Sequence, residues 1–246
     1  MALLILILFI VALGSGLQRV AGMGLGLIAA PVLAIAMGPV QGVMVVNILA
    51  MVNAAMTGYT VREHIDWRRC FYIGSVMVFG AIAGALLIKQ VSNGLLLILF
   101  GTLILIALFM VSALKGRMPE PRGRIPMLVT GVVGGFTNTL AAVAGPVITV
   151  YAQAARWDHR SFAATLQPLF VISGGMSFLI KSLLGAGNLG ATSPWVWPVG
   201  LLGMFIGIYL GTQLSKIISR DRAHKLALLL AGAGGLSALV RGALAL

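Results

Sequence analysis

Acidic residues, histidine and cysteine are scarce in this sequence of 246 residues. The single cysteine, Cys70, excludes an internal disulfide and any cysteine metal cluster. All five acidic residues and all three histidines lie in connections between apolar segments, and they form no recognisable pairing of nucleophile, base or metal ligands. We therefore predict a protein that is not an enzyme, with no catalytic residue, no metal site and no cofactor.

Long polar stretches are missing as well. Only 9% of the residues are charged and 60% are hydrophobic, and the apolar residues come in runs of about 20, the length that spans a bilayer. The net charge of +12 would suggest nucleic acid in a soluble protein. Here the basic residues lie between apolar runs, where they indicate membrane topology instead. We predict a multi-pass membrane protein that contacts the lipid bilayer, binds no nucleic acid and has no removed signal peptide.

Eight apolar segments follow from the hydropathy pattern. The first and the fifth exceed one straight crossing, and each carries a polar cluster followed by a small-residue and proline signal, at Pro31 and Pro146. The eight segments are Ala2 to Met37, Val40 to Tyr59, Cys70 to Ile88, Gly94 to Leu114, Ile125 to Ala155, Phe162 to Leu184, Trp195 to Leu214 and Ala223 to Val240.

Arg19 is the only basic residue inside the first apolar segment. Glycines on both sides of it and Pro31 further on favour a broken helix. A broken helix exposes amide N–H groups and a positive dipole end, which together with a guanidinium predict an anion site. An ionisable group at membrane depth is itself a sign of function. The alternative is that Arg19 snorkels to the interface at the end of a short first helix.

The two long segments belong to an internal repeat. With Pro31 placed on Pro146, the stretch from Gly16 to Leu33 aligns with Gly131 to Ile148 without a gap. The Gly80-xxx-Gly84 and Gly207-xxx-Gly211 pairs match in the same way, and they favour close helix packing. We predict a first transmembrane repeat over 1–114, a cytoplasmic linker over 115–124 and a second transmembrane repeat over 125–246.

The basic residues orient these repeats. If all eight segments cross, nine Lys and Arg residues face one side and seven the other, which is hardly the bias that membrane proteins show. If the first and fifth segments are re-entrant hairpins, one face holds thirteen and the other holds Lys89, Lys181 and Arg241. We therefore predict two inverted four-segment repeats, each beginning with a broken re-entrant hairpin, with both termini extracytoplasmic.

No carboxylate lies within the apolar segments, whereas proton- and sodium-coupled carriers usually place one there. The buried charge is positive, so we predict an anionic substrate. Uncharged donors expected at comparable depth suit an oxyanion better than a cation, although each could instead be a hydrogen bond between helices. The predicted substrate-binding residues are Arg19, Gln18, Asn47, Asn53, Thr137, Asn138, Thr139, Gln167 and Ser173.

Several stretches resemble the TauE/SafE family of sulfite exporters, also grouped as toluene-sulfonate uptake permeases. The resemblance is carried by the glycines and Pro31 of the first segment, by Asn47, by REHIDWRR at 62–69 and by GFTNTLAAVAGPVITVY at 135–151. Thr137-Asn138-Thr139-Leu140 departs from the small residues common there. The resemblance implies a bacterial plasma-membrane protein that moves sulfite, sulfoacetate or a related sulfonate, with export as its direction.

The sequence thus predicts an all-α membrane protein that works as a secondary transporter. We expect it to export a small sulfur-containing anion by alternating access. The alternatives are an uptake permease or channel for another small inorganic anion, and a membrane-embedded enzyme subunit. The sequence is also compatible with a homodimer.

Overall fold

A computed structural model describes residues 1–113, 119–190 and 192–245. The described residues form helices and connections and contain no β-strand, which confirms the all-α prediction. Residues 114–118, which include the start of the predicted linker 115–124, lie outside the described residues. The division into two repeats stays a prediction. The helices are α1 (Ala2–Ala21), α2 (Leu25–Met37), α3 (Pro39–Val61), α4 (Trp67–Gly74), α5 (Met77–Ile88), α6 (Asn93–Ala113), α7 (Ile125–Ala141), α8 (Ala144–Ala154), α9 (His159–Leu183), α10 (Val196–Leu214) and α11 (Arg220–Leu244).

The helices are long and apolar enough for a multi-pass membrane protein. Within the described residues, seven helical stretches meet the length and hydropathy of a membrane span, and α4 with α5 counts as one of them. Two shorter apolar helices, α2 and α7, belong to the first and fifth apolar segments. Both of those segments are split in two, as the sequence predicts for a broken helix.

The two breaks have the same local form. Gly22 adopts a left-handed conformation with φ 85° after α1, and its N–H donates to the Gln18 carbonyl at 2.8 Å. Ala142 adopts φ 55° after α7, and its N–H donates to the Asn138 carbonyl at 2.8 Å. A left-handed residue ends a helix by satisfying a carbonyl that the next turn no longer reaches. The chain therefore reverses at both places, and α2 and α8 begin within three residues.

The helices from the two halves of the chain are interleaved. Helix α1 lies parallel to α10, because a Cβ at Gly207 would meet the Ala12 backbone and one at Gly211 would meet the Gly16 backbone. In the same way α7 lies parallel to α4 and α5, with Gly80 against the backbone of Val132. The expected close approach at the two Gly-xxx-Gly pairs is thus present.

The remaining helices pair in the antiparallel sense. Helix α3 packs against α9, with Gly58 near Gln167 and the Asn47 carbonyl near Gly174. Helix α6 packs against α11, with Gly101 near Gly235. Most of the buried apolar residues of these helices form one core, in which α2 and the first turns of α8 are almost wholly buried.

Replacing Gly207 by alanine is expected to destabilise the bundle. The added methyl group has no room against the Ala12 carbonyl, and overpacking of this kind costs roughly 1–3 kcal/mol. Thermal unfolding in detergent should show a lower Tm for Gly207→Ala. Gly232→Ala is the matched control, because its new Cβ would meet only Leu108 at an ordinary 3.6 Å. Equal Tm values for the two variants would contradict the packing described for α1 and α10.

Candidate functional site

The two helix breaks face each other at the centre of the bundle. A Cβ at Gly26 would lie 2.5 Å from the Ala142 carbonyl oxygen, so the start of α2 touches the end of α7. Neither Gly24 nor Val143, the residues that begin α2 and α8, supplies a side-chain hydrogen bond to the following turn. Two helix N-termini, each a partial positive charge with amide donors, therefore meet here, and at α2 the Leu25 N–H donates to the Gln18 Oε1.

A small cavity lies between these N-termini, and we call it the central cavity. Its volume is about 30 Å³, room for about two waters by the volume that a buried water needs. Its walls include glycines at the start of both helices, which bring the backbone close to any bound solute. Four polar side chains line it: Gln18, Asn47, Asn138 and Ser173.

A directional chain of hydrogen bonds leads away from this cavity. The Asn138 Nδ2 donates to Asn47 Oδ1 at 3.1 Å, and the Asn47 Nδ2 donates to Ser177 Oγ at 2.7 Å. All three side chains are buried. Ser177 accepts in this chain, so its own hydroxyl proton is available to a further acceptor. These hydrogen bonds therefore hold both asparagines in one orientation, and the series ends at the Ser177 hydroxyl, which is a donor.

Gln18 separates the central cavity from a larger one. Its Oε1 accepts from the Leu25 N–H at 3.2 Å, and its Nε2 donates to Gln167 Oε1 at 3.4 Å. The Gln167 Nε2 in turn donates to the Gly22 carbonyl at 3.2 Å. Gln18 and Gln167 thus hold the first break in place, and both of them line the larger cavity.

The larger cavity, which we call the vestibule, has a volume of about 400 Å³. It lies where α1, α3 and α10 end and where α9 and α11 begin. None of the described residues that line it is acidic, whereas its basic and titratable side chains are Arg19, Arg160, Arg220, His64 and His159. Such a one-sign lining raises the local concentration of anions.

Arg19 lies in the vestibule and not in the central cavity. It occupies the last turn of α1 and is half-buried. Its Nε donates to Thr212 Oγ1 at 3.2 Å and one terminal nitrogen donates to Thr60 Oγ1 at 3.1 Å. The sequence predicted that the guanidinium and the exposed amides of the broken helix form one anion site at membrane depth. The structure instead puts it beside the ends of α3 and α10, because α1 extends alongside α10 to that end.

The other predicted site residues occupy different places. Thr137 donates to the Val143 carbonyl at 3.1 Å and supports the second break. Asn53 and Thr139 are fully buried, line neither cavity and have side-chain atoms without hydrogen-bond partners in the described part of the chain. The structure therefore brings together Gln18, Asn47, Asn138 and Ser173, with Gln167 one layer away, and separates them from Asn53 and Thr139.

Lys181 was wrongly counted from the sequence among the surface charges. It lies in α9 with no exposed surface, and its Nζ has no hydrogen-bond partner among the residues that the structure describes. The spacing of Ser173, Ser177 and Lys181 is a signal that could have found it. Residues four apart share a helix face, and that face looks into the bundle.

The chain belongs to the sulfite exporter TauE/SafE family, whose match covers residues 6–238. It is also similar to a probable sulfite/organosulfonate exporter TauE of Cupriavidus necator, with 29% identity over 138 residues. That alignment covers 54% of this chain and 54% of the relative, so about half the length of the curated relative is matched. No solved structure matches the chain. The family is one of membrane transporters.

Proposed function

We propose that this protein exports a small sulfur-containing oxyanion, and that the anion binds in the central cavity. The observation that carries the proposal is the meeting of two helix N-termini at one polar cavity, where neither N-cap residue supplies a side-chain acceptor. Free amide groups and aligned peptide dipoles at such a point favour an anion. The name of the Cupriavidus relative supports sulfite or an organosulfonate as the chemical class.

The central site contains no full charge, and this suits a transporter. Each helix N-terminus contributes about 0.3–1 kcal/mol toward an anion at exposed positions and up to ~2 kcal/mol when partly buried. Amide donors of Asn47 and Asn138 hold orientation without adding a permanent counter-ion. Binding is then strong enough to select an oxyanion and weak enough to release it.

The pairing of helices supports inverted repeats. Helix α1 of the first half packs on α10 of the second, and α7 of the second half packs on α4 and α5 of the first. The corresponding helices α3 and α9, and α6 and α11, pair with each other in antiparallel fashion. A pseudo-two-fold axis in the membrane plane produces this exchange, and it would make the two broken segments equivalent re-entrant hairpins.

The two cavities suggest how access alternates. The vestibule reaches the end of the bundle where most basic residues lie. We assign this end to the cytoplasmic side of a bacterial plasma membrane. An anion collected there by Arg19 would pass the Gln18 and Gln167 pair to reach the central cavity. Rocking of the two repeats would then open the other side. The homodimer compatible with the sequence stays a prediction.

The size of the central cavity favours sulfite over sulfoacetate. Its volume of about 30 Å³ leaves no space for a carbon chain beside the oxyanion. Even a four-atom anion requires a slight separation of the facing Gly26 and Ala142. We therefore expect sulfite to exchange faster than the longer sulfonates.

Counterflow in proteoliposomes tests the proposal. Vesicles loaded with unlabelled sulfite should accumulate labelled sulfite transiently, and vesicles loaded with chloride should not. The same assay with sulfoacetate and with sulfate ranks the substrates by their rates of exchange. Transient accumulation identifies a carrier, because a channel would equilibrate the label without overshoot. Absence of movement of every anion, with folded protein in the vesicles, would overturn the proposed function.

A further inference from the structure

Lys181 is a buried basic residue that the central site does not use. Its side chain has no exposed surface and its Nζ has no hydrogen-bond partner in the described ranges. An unpaired buried ammonium costs several kcal/mol unless a counter-charge is supplied. A protonated Lys181 therefore needs either a partner within the protein or an anion from outside it.

Among the described residues, no acidic side chain lies where it could serve as the partner. All five acidic residues lie at the vestibule end of the bundle, in the connections or first turns there. Asp158 caps the start of α9, and Lys181 lies 23 positions further along, near the end of that helix. At 1.5 Å rise per residue this is roughly 34 Å, well beyond an ion pair. No acidic side chain of the described residues therefore supplies a counter-charge to a protonated Lys181.

The hydrogen-bond chain from the central cavity ends next to Lys181. Ser177 precedes it by four positions, so their Cβ atoms are ~5–6 Å apart on one face of α9. Ser177 accepts from Asn47 and keeps its own proton for donation. A hydroxyl donor and an ammonium thus lie one helical turn beyond the asparagines that line the central cavity.

The connection after α9 closes this end of the bundle. A Cβ at Gly187 would lie 2.5 Å from the Met44 Sδ of α3, so the two are in close contact. The Gln41 Nε2, also of α3, donates to Thr192 Oγ1 at 2.7 Å. The connection that follows Lys181 is therefore held to the first turns of α3, on the side opposite the vestibule.

We propose that Lys181 and Ser177 form a second oxyanion site, which the substrate occupies between the central cavity and the face opposite the vestibule. The inference rests on the proposed transport of an anion. It adds the part of the route between the central cavity and the face opposite the vestibule. The ammonium attracts the anion out of the uncharged central site, and the Ser177 hydroxyl orients it. Arg19 and Lys181 then lie at the two ends of one route through the bundle.

Counterflow with labelled sulfite tests this assignment in the full-length protein. Lys181→Met removes the charge while keeping length and apolar volume, so the maximal exchange rate should fall tenfold or more. The sulfite concentration for half-maximal exchange should change less than threefold, because the central cavity is intact. The Tm should stay equal or rise, since an unpaired buried charge has been removed. Lys181→Arg should keep a substantial part of the rate.

Lys89→Met is the matched control, because Lys89 is exposed and ends α5 on the same side of the bundle. It should exchange sulfite like the parent. If Lys181→Met also exchanges like the parent, the second site is wrong while the proposed function stands. If the parent moves none of the anions, both fall together. Should Lys181→Met fail to fold, Lys181→Gln against Lys181→Arg decides: equal rates would overturn the second site.

Discussion

Asn47→Asp is expected to abolish sulfite exchange. The new carboxylate has the shape of the amide and still accepts the hydrogen bond from Asn138. It also places a negative charge in the wall of the central cavity. Two like charges about 4 Å apart repel by roughly 4 kcal/mol at an effective dielectric constant of 20, or about a thousandfold in affinity. Counterflow and equilibrium binding of sulfite measure the loss.

Asn93→Asp controls for the chemical change. Asn93 is exposed at the start of α6, where a carboxylate is favourable for the helix dipole. It should leave exchange unchanged. Comparable Tm values for the parent and Asn47→Asp would show that the fold survives. Normal sulfite affinity in a folded Asn47→Asp protein would place the anion elsewhere.

Arg19→Ala is expected to weaken the capture of anions by ten- to hundredfold. A hydrogen bond to a charged group contributes about 1.5–3 kcal/mol, and Arg19 has donors beyond the two that Thr60 and Thr212 accept. The apparent KM for sulfite from the vestibule side should rise, with a smaller effect on the maximal rate. Arg19→Lys keeps the charge but loses the planar fork, so we expect an intermediate KM.

A second pair of variants separates binding from anchoring, because Arg19 also joins α1 to α3 and α10. Thr60→Val with Thr212→Val removes the hydroxyl partners and leaves the guanidinium in place. If Arg19 only anchors helices, this double variant should lower the Tm as much as Arg19→Ala does. The account predicts that its KM stays close to that of the parent. A KM as high as that of Arg19→Ala would contradict a role in capture.

Much of the fold follows from local patterns in the sequence. Glycine at 22 and 24 and proline at 31 and 146 indicate two broken helices, because their backbone preferences act within a few residues. The Gly-xxx-Gly pairs indicate close packing, and the structure has it at Gly80 and Gly207. Ala142 shows the limit of this reasoning, since a left-handed alanine has no sequence signature.

The position of Arg19 depends on tertiary register, which no local pattern encodes. Arg19 lies one turn before the first break, and the position of α1 along α10 sets which residues surround its guanidinium. The burial of Lys181 was not predicted, for a related reason. A basic residue near the end of an apolar run resembles an interfacial anchor, whereas the structure buries Lys181 completely.

Selenium can locate the bound anion directly. Selenite has the shape and charge of sulfite, and its anomalous scattering marks a position in a crystal of the protein. The account predicts a selenium peak between the first turns of α2 and α8, within hydrogen-bonding distance of Asn47 or Asn138. An anomalous map with a selenite at Arg19 in the vestibule and an empty central cavity, at saturating selenite, would contradict the central claim.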